Sequence, residues 1–187
     1  MSAAEYLSVL VSIVVGLGIS HILSGVGNLL VDRRRVRFYW PWGIAVLMVF
    51  LAYVQFWWGT FTVGAAVSRN FFGFLLFLLS PITLFLGSVM LLPDFEEEGP
   101  IDLKAHFFAN YRWYFGFVGI LPLLNFIRSI TVSGDPLYIP QRPYEAVFFL
   151  MFASGALVGR EWWQKVIAVA SLVLFVVFIL MASLTPT

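Results

Sequence analysis

Six apolar segments make up most of this chain, and they determine what it can fold into. They run over roughly residues 6–31, 39–63, 71–92, 113–132, 144–158 and 166–184. Only 11% of the 187 residues are charged, against about 25% in soluble domains, so lipid must surround most of the surface. A bilayer offers the backbone no water, so each segment must satisfy its own polar groups. We therefore predict a single all-α membrane domain, a polytopic transmembrane helical bundle of six spans.

The fifth segment is the shortest of the six. A span needs about 20 apolar residues, and segment 144–158 falls short of that and follows Pro140 and Pro143. It can cross as a short span or form a re-entrant hairpin with the sixth segment. We expect it to cross.

Basic residues indicate the orientation. Eight Lys and Arg residues lie in the connections after the first, third and fifth segments, and three lie on the opposite side. The positive-inside rule then places both termini on the non-cytoplasmic side. The densest basic group is also expected to contact anionic lipid; it consists of Arg33, Arg34, Arg35 and Arg37.

The connection over residues 93–112 is the only sizeable one predicted on the cytoplasmic side. Its first half carries an acidic run from Asp94 to Glu98, and these carboxylates can pair with the arginine group. From Ile101 to Arg112 the apolar pattern predicts an interfacial helix that leads into the fourth span.

Small or polar residues occupy every fourth position of the first segment. The series is Ser8, Ser12, Gly16, Ser20, Ser24 and Asn28, and we call it the α1 stripe. Such spacing lets helices approach closely and bond through hydroxyl groups. We expect the first helix to be interior, with the stripe packed inside the bundle or at the seam of a homo-oligomer, in preference to a conducting path.

Further polar residues inside or beside the spans are candidates for a cavity or a proton relay. They are Glu5, His21, Gln55, Asn125, Arg128 and Glu145. The alternative for the charged members is an ion-pair network that closes the outer end of the bundle. A neutral His21 that donates to a neighbouring helix is expected, and no cofactor is predicted; the alternative is a haem or metal ligand.

Asp102 and His106 are four residues apart, so they share one face of a helix. A carboxylate beside a histidine raises its pKa and can support proton transfer at the interface. The competing interpretation is that Asp102 bonds at the start of the helix and His106 is an ordinary interfacial side chain.

Three strings carry a resemblance over most of the chain. They are G-L-G-I-S-H in the first segment, R-F-Y-W-P at the start of the second, and P-D-F-E-E-E-G-P-I-D-L-K-A-H-F-F before the fourth. With these strings the chain resembles a family of small bacterial polytopic inner-membrane proteins that has no assigned activity. The resemblance implies the bacterial inner membrane and no chemistry, and it draws attention to Asp102 and His106.

Three classes of function remain open. The first is an oligomeric channel or small transporter with a polar cavity. The second is a non-catalytic subunit or scaffold that assembles through the α1 stripe. The third is an enzyme acting on lipid or quinone through His106 and Asp102, which is least favoured because the sequence has no cysteine and none of the common hydrolase motifs. The basic residues form no groove-sized face, so no nucleic acid is expected.

Overall fold

A computed structural model describes residues 3–67, 71–95, 99–133 and 142–184, with side chains over 8–60, 71–95, 99–131 and 142–180. The described chain is all-α apart from two strands of two residues each, as predicted. A π-helical turn, Ser129–Ser133, follows the fourth helix directly. The helices are α1 Ala3–Val31, α2 Trp40–Val67, α3 Phe71–Leu91, α4 Leu103–Arg128, α5 Arg142–Leu157 and α6 Glu161–Leu184; the strands are β1 Val36–Arg37 and β2 Ile101–Asp102.

Five of the helices are long and apolar enough to cross a membrane, so this is a multi-pass membrane protein. Their apolar parts are Ser8–Val31, Trp40–Thr60, Phe71–Leu91, Leu103–Thr131 and Glu161–Leu180. The exception is α5, whose 16 residues extend about 24 Å at 1.5 Å per residue, less than the roughly 30 Å of a hydrocarbon core. A sixth complete span therefore stays a prediction.

Five helices, α2 to α6, form a ring, and α1 lies outside it. Around the ring, α2 packs against α3, α3 against α4, α4 against α5, α5 against α6, and α6 returns to α2. Helix α1 packs against α2 and α3 from outside the ring. Within one copy, the first helix is therefore peripheral and not interior as predicted, whereas its place at the seam of a homo-oligomer stays a prediction.

The two faces of α1 explain this position. Its bundle face consists of Val11, Val15, Ile22 and Leu29, all buried, together with Gly18 and Gly25. A Cβ atom on Gly18 would overlap the ring of Tyr53, and one on Gly25 would lie 2.6 Å from Leu92. These two glycines thus provide the close approach that was expected of the α1 stripe.

The α1 stripe itself lies on the side of α1 that faces away from the bundle. Ser8 is half-buried, whereas the other five residues of the stripe are exposed. Ser12 accepts a hydrogen bond from the Trp57 indole at 3.2 Å, but nothing lies within 4 Å of a Cβ built on Gly16. The stripe is not packed inside this bundle, because the bulky apolar residues and the two glycines occupy the face that contacts α2 and α3.

One end of the bundle is tied by polar contacts between connections, and we call it the clasp end. Strand β1 pairs in parallel with β2, Val36 opposite Ile101 and Arg37 opposite Asp102. Arg35 Nε donates to the Gly99 carbonyl at 2.9 Å. Glu161 accepts from Lys104 Nζ at 2.6 Å and pairs with Lys165 at 2.8 Å, which joins α4 to α6.

The predicted interfacial helix and the predicted fourth span form one continuous helix, α4. Asp102 caps its first turn by accepting from the backbone N–H groups of Lys104 and Ala105, both at 3.0 Å. From Leu103 the helix then runs without a break to Arg128. The predicted interfacial helix is therefore the first part of α4.

The short α5 ends against α4 and α6, and its last carbonyl groups need donors. Gly159, just past its end, lies against the Tyr111 hydroxyl, about two turns of α4 above Leu103. The Gln164 amide, 1% exposed, donates to the carbonyls of Gly155 at 2.9 Å and Val158 at 2.7 Å. One side chain of α6 thereby completes the end of α5.

Replacing Gly18 with Ala should destabilise the protein by about 1–3 kcal/mol, because the new methyl group would overlap the Tyr53 ring between α1 and α2. Gly16→Ala is the matched control and should change the free energy of unfolding by less than about 1 kcal/mol, since its Cβ meets open space. Denaturation in detergent, followed by circular dichroism, measures both. Equal stabilities of the two variants would contradict the packing of Gly18 against Tyr53.

Candidate functional site

A cavity of about 260 Å³ lies within the five-helix ring, and every ring helix contributes to its wall. Its lining is mainly apolar, with Val49 from α2, Leu84 from α3 and Val118 from α4 among the contributors. Six of the lining side chains are aromatic: Tyr114, Tyr144, Phe148, Phe152, Phe175 and Phe178. The sequence predicted a polar cavity, whereas the polar side chains in the described lining of this one are Asn125, Glu145 and the hydroxyl-bearing Tyr114 and Tyr144. We call it the ring cavity.

A group of polar side chains lies where α4 ends and α5 begins, opposite the clasp end. The Asn125 amide donates to one oxygen of Glu145 and accepts from the Arg128 guanidinium. Arg142 donates to the other Glu145 oxygen at 3.0 Å and to the Ser129 hydroxyl at 3.0 Å. We call these five residues the α4–α5 cluster.

The Arg142–Glu145 pair is largely removed from solvent, since the two side chains are 10% and 14% exposed. The guanidinium carbon of Arg142 lies 4.8 Å from the centre of the Phe126 ring, a cation–π contact. Asn125 lies about 33 Å along α4 from Leu103, close to the thickness of a hydrocarbon core. The cluster thus lies near the far end of the span, and Glu145 and Arg142, both largely buried there, supply each other with a partner.

The ring cavity and a second pocket adjoin each other where α4 meets α5. Pro122 and Glu145 line the ring cavity and also line a second pocket, of about 290 Å³, in the seam of these two helices. That seam pocket is otherwise lined by Leu123, Phe126 and Phe149, together with Arg142 and Ala146. Because Pro122 has no backbone N–H, α4 also lacks one helical hydrogen bond at this point.

Three of the six residues predicted for a cavity meet in the α4–α5 cluster: Asn125, Arg128 and Glu145. Arg142 and Ser129 were not among the residues predicted from the sequence. Arg142 and Glu145 are three residues apart, which is the spacing of a helical ion pair, so their pairing could have been found. No comparable signal pointed to Ser129.

The other three candidates do not join this cluster in the part of the chain whose side chains are described. Gln55 is half-buried in α2, and Glu5 lies outside the described side chains. His21 packs against Phe85 of α3, with ring centres 5.4 Å apart. Its Nε2 atom is buried without a hydrogen-bond partner among the described residues, so the predicted bond to a neighbouring helix is not formed by that atom.

Asp102 and His106 do not form a pair. Both backbone contacts of the Asp102 carboxylate are to the N–H groups that it caps. His106 Nε2 lies 3.2 Å from the Met90 carbonyl, on α3. Because the Asp102 carboxylate bonds to backbone N–H groups of the first turn, it is not the partner of His106. The interfacial proton-transfer pair is therefore not supported.

The basic group beside β1 remains on the surface. Arg33, Arg34, Arg35 and Arg37 are all exposed, and Arg37 lies 4.0 Å from Asp102. Arg35 Nε bonds to the Gly99 carbonyl. The expected pairing of these arginines with the acidic run, of which residues 96–98 lie outside the described part, stays a prediction. Contact with anionic lipid stays a prediction.

The described residues contain no group of three or more His, Cys, Asp or Glu that could hold a metal ion. Comparison with protein families, curated proteins and solved structures finds no match to this chain. The ring cavity and the α4–α5 cluster are therefore the features from which a function can be inferred.

Replacing Arg142 with Met should destabilise the protein by about 3 kcal/mol, because the Glu145 carboxylate would lose its cationic partner within the bundle. The double variant Arg142→Met/Glu145→Gln should be more stable than this single variant, since it removes the unpaired charge as well. Unfolding in detergent, monitored by circular dichroism, gives both values. A double variant that is less stable than Arg142→Met would show that the Glu145 carboxylate does not need Arg142 as its cationic partner.

Proposed function

We propose that the protein is a small transporter that binds one small, largely apolar molecule in the ring cavity. The ring cavity is the observation that carries this proposal. Protein interiors are close-packed and contain few spaces larger than a water molecule, whereas this partly open space between five helices has about 260 Å³. A molecule that fills it gains contacts with the apolar wall on several sides.

The cavity volume sets the size of the ligand. An engineered apolar cavity of about 150 Å³ accommodates benzene, and the same ratio gives about ten non-hydrogen atoms for this one. The mainly apolar lining favours a molecule that dissolves in the membrane. It also favours a transporter over an ion channel, because a permeating ion needs polar groups along its path.

The seam between α4 and α5 is the proposed route from the bilayer. Pro122 and Glu145 are shared by the ring cavity and the seam pocket, so a small separation of the helices there would join the two spaces. A membrane-dissolved ligand would then enter sideways, without crossing the clasp end. Lateral entry agrees with the apolar character of both spaces.

The experiment compares two tryptophan variants of α2. Ala52→Trp puts a large side chain into the ring cavity, whereas Val54→Trp changes an exposed position two residues away and leaves the cavity open. The small molecules that co-purify with each protein are extracted and identified by mass spectrometry. We expect a molecule of about ten non-hydrogen atoms in the wild type and in Val54→Trp, reduced at least tenfold in Ala52→Trp.

Proteoliposomes then test movement of that molecule. Wild type and Val54→Trp should take it up, and Ala52→Trp should not. If all three proteins carry the same small molecules in the same amounts, the ring cavity is not the binding site and the proposal is wrong.

The membrane and the orientation belong to the same proposal. The resemblance to small bacterial inner-membrane proteins supports that membrane as the location. The excess of Lys and Arg on the clasp side supports a cytoplasmic clasp end, with both termini on the other side. The exposed arginines beside β1 would then face the anionic lipid of the inner leaflet.

Assembly through α1 is a second candidate function, as a homo-oligomer or as a scaffold in a complex. The exposed α1 stripe favours it, because serine, glycine and asparagine at every fourth position are typical of helix–helix contacts in membranes. A second copy that covers the stripe would remove hydroxyl groups from lipid. This candidate is compatible with a transporter.

Gly16→Leu should lower the oligomeric mass, because a large side chain would separate helices that meet at the stripe. Within one copy a Cβ at this position meets nothing within 4 Å, so the fold itself should persist. Native mass spectrometry of the protein released from detergent measures the mass, and Leu17→Ala, at a neighbouring exposed position, serves as the control. An unchanged mass for Gly16→Leu would exclude the stripe as the contact.

A further inference from the structure

The ring cavity combines aromatic walls with a single charged group. Six of its described lining residues are aromatic. Glu145 is the only charged residue in the described lining. Aromatic faces pack well against planar rings, in offset or edge-to-face arrangements. This lining therefore favours an aromatic ligand over a flexible alkyl chain.

The strongest hydrogen-bonding group of the described lining is an acceptor, the Glu145 carboxylate, whereas the hydroxyl groups of Tyr114 and Tyr144 can both donate and accept. Asn125 already uses its amide to donate to Glu145 and its oxygen to accept from Arg128. A carboxylate has about four acceptor positions, and in the described chain Glu145 accepts one bond from Asn125 and one from Arg142. Positions thus remain on Glu145 for a donor from the ligand.

The charge balance of the α4–α5 cluster determines the charge of that donor. The Glu145 carboxylate is already bonded directly to the Arg142 guanidinium, which balances its charge. A cationic ligand would give up its hydration in a mainly apolar cavity, where the one charged group of the described lining already has a cationic partner. A neutral O–H or N–H group can bond to the carboxylate without that cost.

We propose that the ligand of the ring cavity is a small neutral aromatic molecule with one O–H or N–H group that donates to Glu145. This inference rests on the proposed function, since it names the class of molecule that the transporter binds. Phenols and indoles of about ten non-hydrogen atoms have the required size and chemistry. Selection comes from the hydrogen bond, and the aromatic walls supply most of the contact area.

Three probes of nearly equal size test this inference: β-naphthol, which has a donor, its methyl ether, which has only an acceptor, and naphthalene, which has neither. Binding to the whole protein in lipid nanodiscs is measured by equilibrium dialysis. Nanodiscs with Ala52→Trp give the lipid background, and Val54→Trp is the control that should match the wild type. We expect β-naphthol to bind roughly tenfold or more tightly than its ether, as for a hydrogen bond to a charged acceptor.

Within one variant, Glu145→Gln should reduce the preference for β-naphthol over its methyl ether, because the amide is a weaker acceptor than the carboxylate. Equal affinity for all three probes, or tighter binding of the ether, would overturn the inference while leaving a ligand-binding cavity in place. Tighter binding of the cation naphthylmethylammonium than of β-naphthol would overturn the inference that the ligand is neutral. If no probe binds above the Ala52→Trp background, the proposed function fails together with this inference.

Discussion

The hydrogen bond between Asn125 and Glu145 closes the ring of helices at the end opposite the clasp. Helix α5 has only 16 residues, and its first turn carries a largely buried carboxylate that needs a partner. Arg142 neutralises that carboxylate and Asn125 anchors it to α4. The position of α5, and with it the wall of the ring cavity, depends on this contact.

The opposite end of α5 is completed by Gln164, a buried amide of α6. Two side chains from neighbouring helices, Asn125 and Gln164, thus hold the short helix at its two ends. The arrangement satisfies backbone and carboxylate groups within the protein, as a bilayer requires. It also leaves space between α5 and α2, where the ring cavity lies.

Much of the fold could be predicted from composition and apolar length, including the helices and the membrane. The position of α1 could not, because two small-residue patterns overlap in it. The α1 stripe is the longer pattern, yet Gly18 and Gly25 make the contacts with Tyr53 and Leu92. Both patterns permit close approach, and only the shapes of α2 and α3 select between them.

The candidate site shows the same division. Asn125, Arg128 and Glu145 were identifiable as polar residues in apolar surroundings, which must find partners, but their meeting across α4 and α5 depends on three-dimensional packing.

The sequence by itself determined the all-α class and the membrane environment, because so few charges and such long apolar segments leave the backbone no other way to satisfy its hydrogen bonds. The tertiary structure alone decided that α1 lies outside the ring, that α5 ends against α4 and α6, and that a cavity remains. Those features follow from contacts between residues far apart in the chain. Side-chain shape and pairing control these contacts, and the apolar periodicity of the sequence does not encode them.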